Sequence, residues 1–174
     1  MHALFEGLGR GAAPSLLELD VGVNHFGRAG AEALAAALRR GAMPKLEAVD
    51  ITYNPIGNQG MAALAAPLRK LPALKYLSLA RCKIGDEGVA SLVANLGKDD
   101  FKALKKLYLN NTKFTDANTI TDAGCATLSR ALDEGVCPAL QLLILANNPA
   151  SEAAQQAVGD ALSRAIARAR ARVD

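Results

Sequence analysis

The phrase Pro72-Ala-Leu74-Lys-Tyr-Leu77-Ser-Leu79-Ala-Arg-Cys82-Lys-Ile84-Gly85-Asp-Glu-Gly88 recurs before and after itself, and no other feature constrains the fold as tightly. Reduced to its spacing it reads P-x-L-x-x-L-x-L-x-x-(N/C)-x-I-G-x-x-G. An earlier copy runs Leu16-x-x-Leu19-x-Val21-x-x-Asn24-x-Phe26-Gly27-x-x-Gly30, and the next runs Leu46-x-x-Val49-x-Ile51-x-x-Asn54-x-Ile56-Gly57-x-x-Gly60. Asn24 to Asn54 spans 30 positions and Asn54 to Cys82 spans 28. Apolar residues at alternate positions suit one face of a short strand. The leucines that follow each glycine pair, Leu34 and Leu38, Leu64 and Leu68, Leu92 and Leu96, suit one face of a helix. Neither element buries its apolar face alone, so successive units must stack.

A fourth copy, Leu104-x-x-Leu107-x-Leu109-x-x-Thr112, departs from the pattern after Thr112. Thr112-Lys-Phe114-Thr-Asp-Ala117 is followed at once by Asn118-Thr-Ile120-Thr-Asp-Ala123, two near copies of one six-residue phrase. Only one can fill the usual Asn-x-Ile slot. Ile120 is expected to take it, because Asp122-Ala-Gly124 leads into a helix as Asp86-Glu-Gly88 does. The other must bulge from the edge where the strands end, with Phe114 a possible loop contact. A fifth copy, Leu140-x-x-Leu143-x-Leu145-x-x-Asn148-x-Ala150, leads through Ser151 as N-cap into a helix to about Ala171. Five short parallel strands centred on Leu19, Val49, Leu77, Leu107 and Leu143 are therefore expected. Pro67 predicts that the second full helix ends or kinks near Ala66.

With this period and helices of this length, the chain resembles the leucine-rich repeats of the ribonuclease-inhibitor class. The resemblance implies an α/β leucine-rich-repeat solenoid, a horseshoe with a parallel sheet on its concave side and helices on its convex side. It implies one domain over 1–174: a partial first repeat at 1–14, five strand-bearing repeats at 14–150 and a capping helix at 151–174. Residues 3–14 align thirty positions ahead of 33–44, so the chain starts halfway through a repeat, as a fragment of a longer array or a degenerate first cap would. Members of the class serve as protein-binding scaffolds, as sensor modules of immune receptors, or as the GTPase-activating protein for Ran. The Asn or Cys at the ninth position, Asn24, Asn54, Cys82 and Asn148, reads as structural, turned inward to satisfy backbone groups that the sheet leaves over.

Charge adds little. The net +3 is too small to imply nucleic acid. Arg39, Arg40, Arg69, Lys70 and Arg130 fall at helix ends and Asp86, Glu87, Asp122 and Glu152 at helix starts, where the helix dipole favours each sign. Cys82, Cys125 and Cys137 have no metal-ligand spacing and are expected to be unpaired in a reducing, cytoplasmic setting. His2 and His25 are the only histidines, and no phosphate loop, dinucleotide fingerprint or zinc motif is present, which points away from enzyme activity and from a cofactor. Arg164, Arg168, Arg170 and Arg172 form a basic stripe on the last helix, the one motive for membrane or nucleic-acid binding. Its alanine-rich apolar face makes a solvated cap the better reading.

Residues between the strand leucines point to the concave surface. Among them are all three tyrosines of the chain, Tyr53, Tyr76 and Tyr108, with Asp50, Arg81, Lys106, Asn110 and Asn111. Tyrosine and arginine are frequent anchors of protein interfaces. The expected function is a monomeric protein-interaction module that binds a protein partner through Tyr53, Tyr76, Arg81, Lys106, Tyr108 and Asp50. A GTPase regulator of the Ran-activator kind is the alternative.

Overall fold

Each leucine-spaced phrase forms one strand and one helix, and the units stack in chain order. The computed structural model describes residues 2–94, 96–97, 100–112 and 117–171. The order is α1 (His2–Glu6), β1 (Glu18–Asp20), α2 (Arg28–Arg39), β2 (Ala48–Asp50), α3 (Gly57–Arg69), β3 (Tyr76–Ser78), α4 (Asp86–Val93), β4 (Lys106–Tyr108), α5 (Asp122–Asp133), β5 (Leu142–Ile144) and α6 (Glu152–Arg170). The strands make one open parallel sheet in the order β1-β2-β3-β4-β5, centred on the five expected residues. Register pairs Leu19 with Val49, Val49 with Leu77, Leu77 with Leu107 and Leu107 with Leu143, a stripe that faces the helices. The next apolar residue of each repeat carries the ladder onward: Val21 N–H to Asp50 O at 2.9 Å, Ile51 to Ser78 at 3.1 Å, Leu79 to Tyr108 at 2.9 Å and Leu109 to Ile144 at 2.9 Å. The core is continuous along the stack, with Leu46, Leu64, Leu74, Leu77 and Phe101 all buried.

The ninth-position side chains knit neighbouring repeats together. Asn54 Nδ2 donates to Val21 O and Ile51 O, both at 2.9 Å, while its Oδ1 accepts Phe26 N–H at 3.0 Å. Asn148 likewise donates to Leu109 O and Leu145 O and accepts Ile120 N–H. In the fourth repeat the slot belongs to Asn118, not to Thr112, and Ile120 fills the core position with no exposure. Asn118 donates to Leu79 O and Leu109 O and accepts both Cys82 N–H and Ile84 N–H, each at 2.9 Å. Residues 112–117 are thus the insertion, and Phe114 lies outside the described residues.

Cys82 is the exception that shows what the amide does. Its thiol donates to Ile51 O at 3.2 Å but offers no oxygen to the preceding repeat. Ile56 N–H turns instead to Asn54 O in its own repeat, at 2.7 Å, and Gly57 adopts φ +67°, a left-handed conformation that glycine takes at little cost. Cys82, Cys125 and Cys137 are free and buried. Burial pushes the Cys82 and Cys137 thiols up to about 12 and raises Cys125 as well. At neutral pH so little thiolate exists that a disulfide-exchange reagent should label none of the three in the folded protein and all three in denaturant, as a colorimetric thiol count will show.

A second ladder runs across the helix starts. Asn58 Oδ1 accepts Gly85 N–H at 2.7 Å and Gly88 N–H at 3.2 Å, capping the helix of the next repeat. Asp86 takes Thr121 N–H and Oγ, and Asp122 takes Ser151 N–H and Oγ. Ser151 caps α6 by accepting Ala154 N–H. The second glycine of each pair leaves room for this packing. A Cβ on Gly88 would lie 2.6 Å from Ile84 Cγ2 and 2.8 Å from Asn58 Oδ1. In a helix interior Gly→Ala gains about 1 kcal/mol, but Gly88 sits in the first turn and the overpacking costs about 1–3 kcal/mol. Gly88→Ala should therefore lower the urea midpoint, not raise it.

Two expectations need correction here. Helix α3 does not end at Ala66 but runs through a buried Pro67 to Arg69. Pro67 stands in the last turn, where the missing N–H costs a single bond and the ring packs on neighbouring apolar atoms. Helix α4 stops at Val93, short of Leu96, because Ala94 turns extended at ψ 139°.

Candidate functional site

The concave face is built by strand alternation and then by a turn. At the same position of four of the five strand-bearing repeats, Val23, Tyr53, Arg81 and Asn147 have φ between 55° and 61°, the left-handed region. Just before it, Asp20 Oδ1 accepts Gly22 N–H at 2.9 Å and Asp50 Oδ1 accepts Thr52 N–H at 2.8 Å, side-chain turns that end the strands. Tyr53 and Arg81 thereby meet: the Arg81 guanidinium carbon sits 3.8 Å from the Tyr53 ring centroid. The two occupy the same row of neighbouring repeats, and the separation is within the range of a cation–π contact.

Arg81 is nonetheless not a surface contact. It is 4% exposed, and its Nη1 donates to Thr112 Oγ1. The alternation rule places it outward, but the left-handed turn lays its side chain along the sheet edge under Tyr53. Asn111 is also not on the surface, being 2% exposed. Its amide closes the neck of the insertion, accepting Asn118 N–H at 2.6 Å and donating to Asn118 O at 2.8 Å and Asn147 O at 3.0 Å.

The remaining residues come together as a patch. Tyr53, Tyr76, Tyr108 and Asp50 are half-buried and Lys106 is exposed. The Tyr76 and Tyr108 rings lie 5.2 Å apart at 42°. Tyr76 Oη approaches Asp50 Oδ2 at 3.5 Å, and Thr52 and Ser78 hydroxyls meet at 2.6 Å. Partial burial, and then the Asp50 carboxylate, push the Tyr76 phenol up, so it remains a neutral donor. The outward Ser78 and Ala80 are small and nearly covered, at 3% and 7% exposed.

Other surfaces offer less. A hollow of about 780 Å³ beside the end of α6 is lined by Pro138, Leu140, Ile166 and Arg170, far from the tyrosines and with one charged side chain. Two arginines of the basic stripe dock α6, and Arg172 lies outside the described residues. Arg164 grips Asp133 with two bonds of 3.0 and 2.8 Å, and Arg168 donates to Leu132 O at 2.7 Å. Arg164, beside it, holds the Asp133 carboxyl below its ordinary range. Among the described residues no cluster of three His, Cys, Asp or Glu could hold a metal, and no helix is long and apolar enough to cross a membrane.

The family model described as Leucine Rich repeat matches residues 12–35, 42–65 and 70–93. No curated protein matches in sequence. Among solved structures that match is one titled Leiomodin-1 Actin-Binding Site 2 (ABS2), with a TM-score of 0.70 and 15% identity, covering 92% of this chain and 87% of that one. At that identity the likeness is one of fold.

Proposed function

This chain is a leucine-rich repeat protein, and from that premise we propose that its concave sheet is a docking face for a protein partner and that it acts by binding, without chemistry or a cofactor of its own. The observation that carries the reading is the ordering of the aromatic side chains before any partner arrives. Tyr53 rests on Arg81, and Tyr76 packs on Tyr108. Such side chains offer much area and lose little freedom on binding. Tyr53, Tyr76 and Tyr108 are the anchors, Lys106 and Asp50 lie at the rim, and Arg81 acts through Tyr53. The solved neighbour supports the reading in kind, since its title describes an actin-binding site. Helices along the whole convex side support assignment to the ribonuclease-inhibitor-like class, and three buried free thiols suit a reducing compartment.

The test is a titration of the partner recovered by affinity capture. Tyr76→Ala and Tyr108→Ala should each weaken binding by about 2 kcal/mol or more. The convex controls Ala62→Glu and Ala126→Glu should leave it unchanged. The reverse pattern moves the site to the helices.

A further inference from the structure

The docking face is polarised, and the polarity names its ligand. On the outward positions of β1 and β2, Glu18 and Asp20 are exposed and Asp50 is half-buried, while Ala48, Gly22 and Thr52 supply no cation. Asp20 and Asp50 are register partners on adjacent strands. A Cβ on Gly22 would lie 3.2 Å from Asp20 Oδ1 and 3.8 Å from Asp50 Oδ1, so the two carboxylates converge over the same glycine. Like charges facing each other across adjacent strands cost stability. Among the described residues no Lys or Arg forms an ion pair with either. Each carboxylate is already oriented, one oxygen being held by the main-chain N–H two residues on. The Tyr76 hydroxyl borders Asp50, the Tyr108 ring packs on Tyr76 on the side away from β1, and Lys106 is the register partner of Tyr76 on β4.

Resting on the docking reading above, we infer that the partner is a protein segment that presents an arginine or lysine to Asp20 and Asp50 and an apolar side chain to Tyr76 and Tyr108. The charge that the fold leaves uncompensated is negative at one end of the face, and the aromatic surface beside it suits the aliphatic stem of the same long cation or its apolar neighbour. A guanidinium fits best, because its fork can meet two carboxylates held in fixed orientation. An acidic segment would meet repulsion at Glu18, Asp20 and Asp50.

The probes are two short fluorescent peptides of equal length, one alternating arginine with leucine and the other alternating glutamate with leucine, titrated into the full chain while backbone and tyrosine-ring NMR signals are followed. The arginine peptide should bind, with shifts gathered on β1–β3 and the Tyr76 and Tyr108 rings, and the glutamate peptide should not. The double variant Asp20→Asn/Asp50→Asn keeps an oxygen for each turn N–H. It should melt no lower than the parent yet bind the arginine peptide roughly tenfold more weakly. Equal binding of both peptides, undiminished affinity in the double variant, or shifts confined to the helices would overturn the inference. Binding of the glutamate peptide at Tyr76 and Tyr108 would overturn the polarity and keep the docking face. Binding of neither overturns the inference here, and the Tyr76→Ala titration against the captured partner then decides the docking face on its own.

Discussion

Replacing Asn118 with alanine is expected to destabilise the chain by on the order of 3 kcal/mol or more, the largest effect of any single polar substitution in the ladder. The side chain is 1% exposed and serves four backbone groups, Leu79 O, Leu109 O, Cys82 N–H and Ile84 N–H. Alanine leaves Leu79 O, Cys82 N–H and Ile84 N–H without that partner, while Leu109 O keeps its second donor, Asn148 Nδ2, at 2.9 Å. Each buried orphan costs about 1–3 kcal/mol, partly recovered if water enters the space. Asn24 is the internal control. It is exposed, and its amide donates only to Val21 O and Gly22 O, which water can reach. Asn24→Ala should cost about 1 kcal/mol or less. Urea unfolding of the two variants, read as midpoint shifts at constant slope, checks the contrast. Equal shifts would mean that Asn118 does not hold the ninth slot.

Excision of the insertion separates two registers that the duplicated phrase makes hard to tell apart. Removing 112–117 joins Asn111 to Asn118 and restores Leu107-x-Leu109-x-x-Asn118-x-Ile120. That variant should fold with stability within about 1 kcal/mol of the parent, since shortening a surface loop changes closure entropy slowly. Removing 113–118 instead puts Thr112 in the slot. One hydroxyl cannot bridge two carbonyls while accepting two N–H groups, so this deletion should cost about 3 kcal/mol, close to Asn118→Ala. The same two variants carry the functional question: a partner that binds the parent but not the 112–117 deletion uses the insertion.

The strand centres were legible in sequence because every repeat spells its core with the same triad, and a stripe such as Leu19, Val49, Leu77, Leu107 and Leu143 can be aligned without knowing any contact. Ile120 was legible for a related reason, the Asp-x-Gly that starts the helix after it. Arg81 was not. Alternation predicts which way a side chain leaves an extended backbone, and Arg81 sits at φ 55°, one residue past the point where that rule holds. Tyr53, at φ 61°, breaks the same rule, yet it remains half-buried because Arg81 lies against its ring. Asn111 was misread because the insertion begins beside it and recruits its amide to the loop neck. Pro67 was given more breaking power than one lost bond in a last turn has. The tyrosine patch could be assembled from register alone, but the convergence of Asp20 and Asp50 over Gly22 needed coordinates.

The two ladders point in opposite directions along the chain. At the strand ends the later repeat serves the earlier one, as Asn118 serves Cys82 and Ile84. At the helix starts the earlier repeat serves the later, as Asp86 serves Thr121 and Asp122 serves Ser151. Stretched between its ends, such a stack resists like laminate glued with crossed grain, because lifting a layer from either side strips bonds from the one left behind. The strand-end ladder is thinnest between the second and third repeats, where sulfur replaces an amide, Ile56 N–H turns back on its own repeat and a single main-chain bond, Gly57 N–H to Cys82 O at 3.0 Å, stands in for the amide oxygen. A force ramp should therefore show the array parting there first, into a front block ending near Lys70 and a rear block beginning near Leu74, before either block yields.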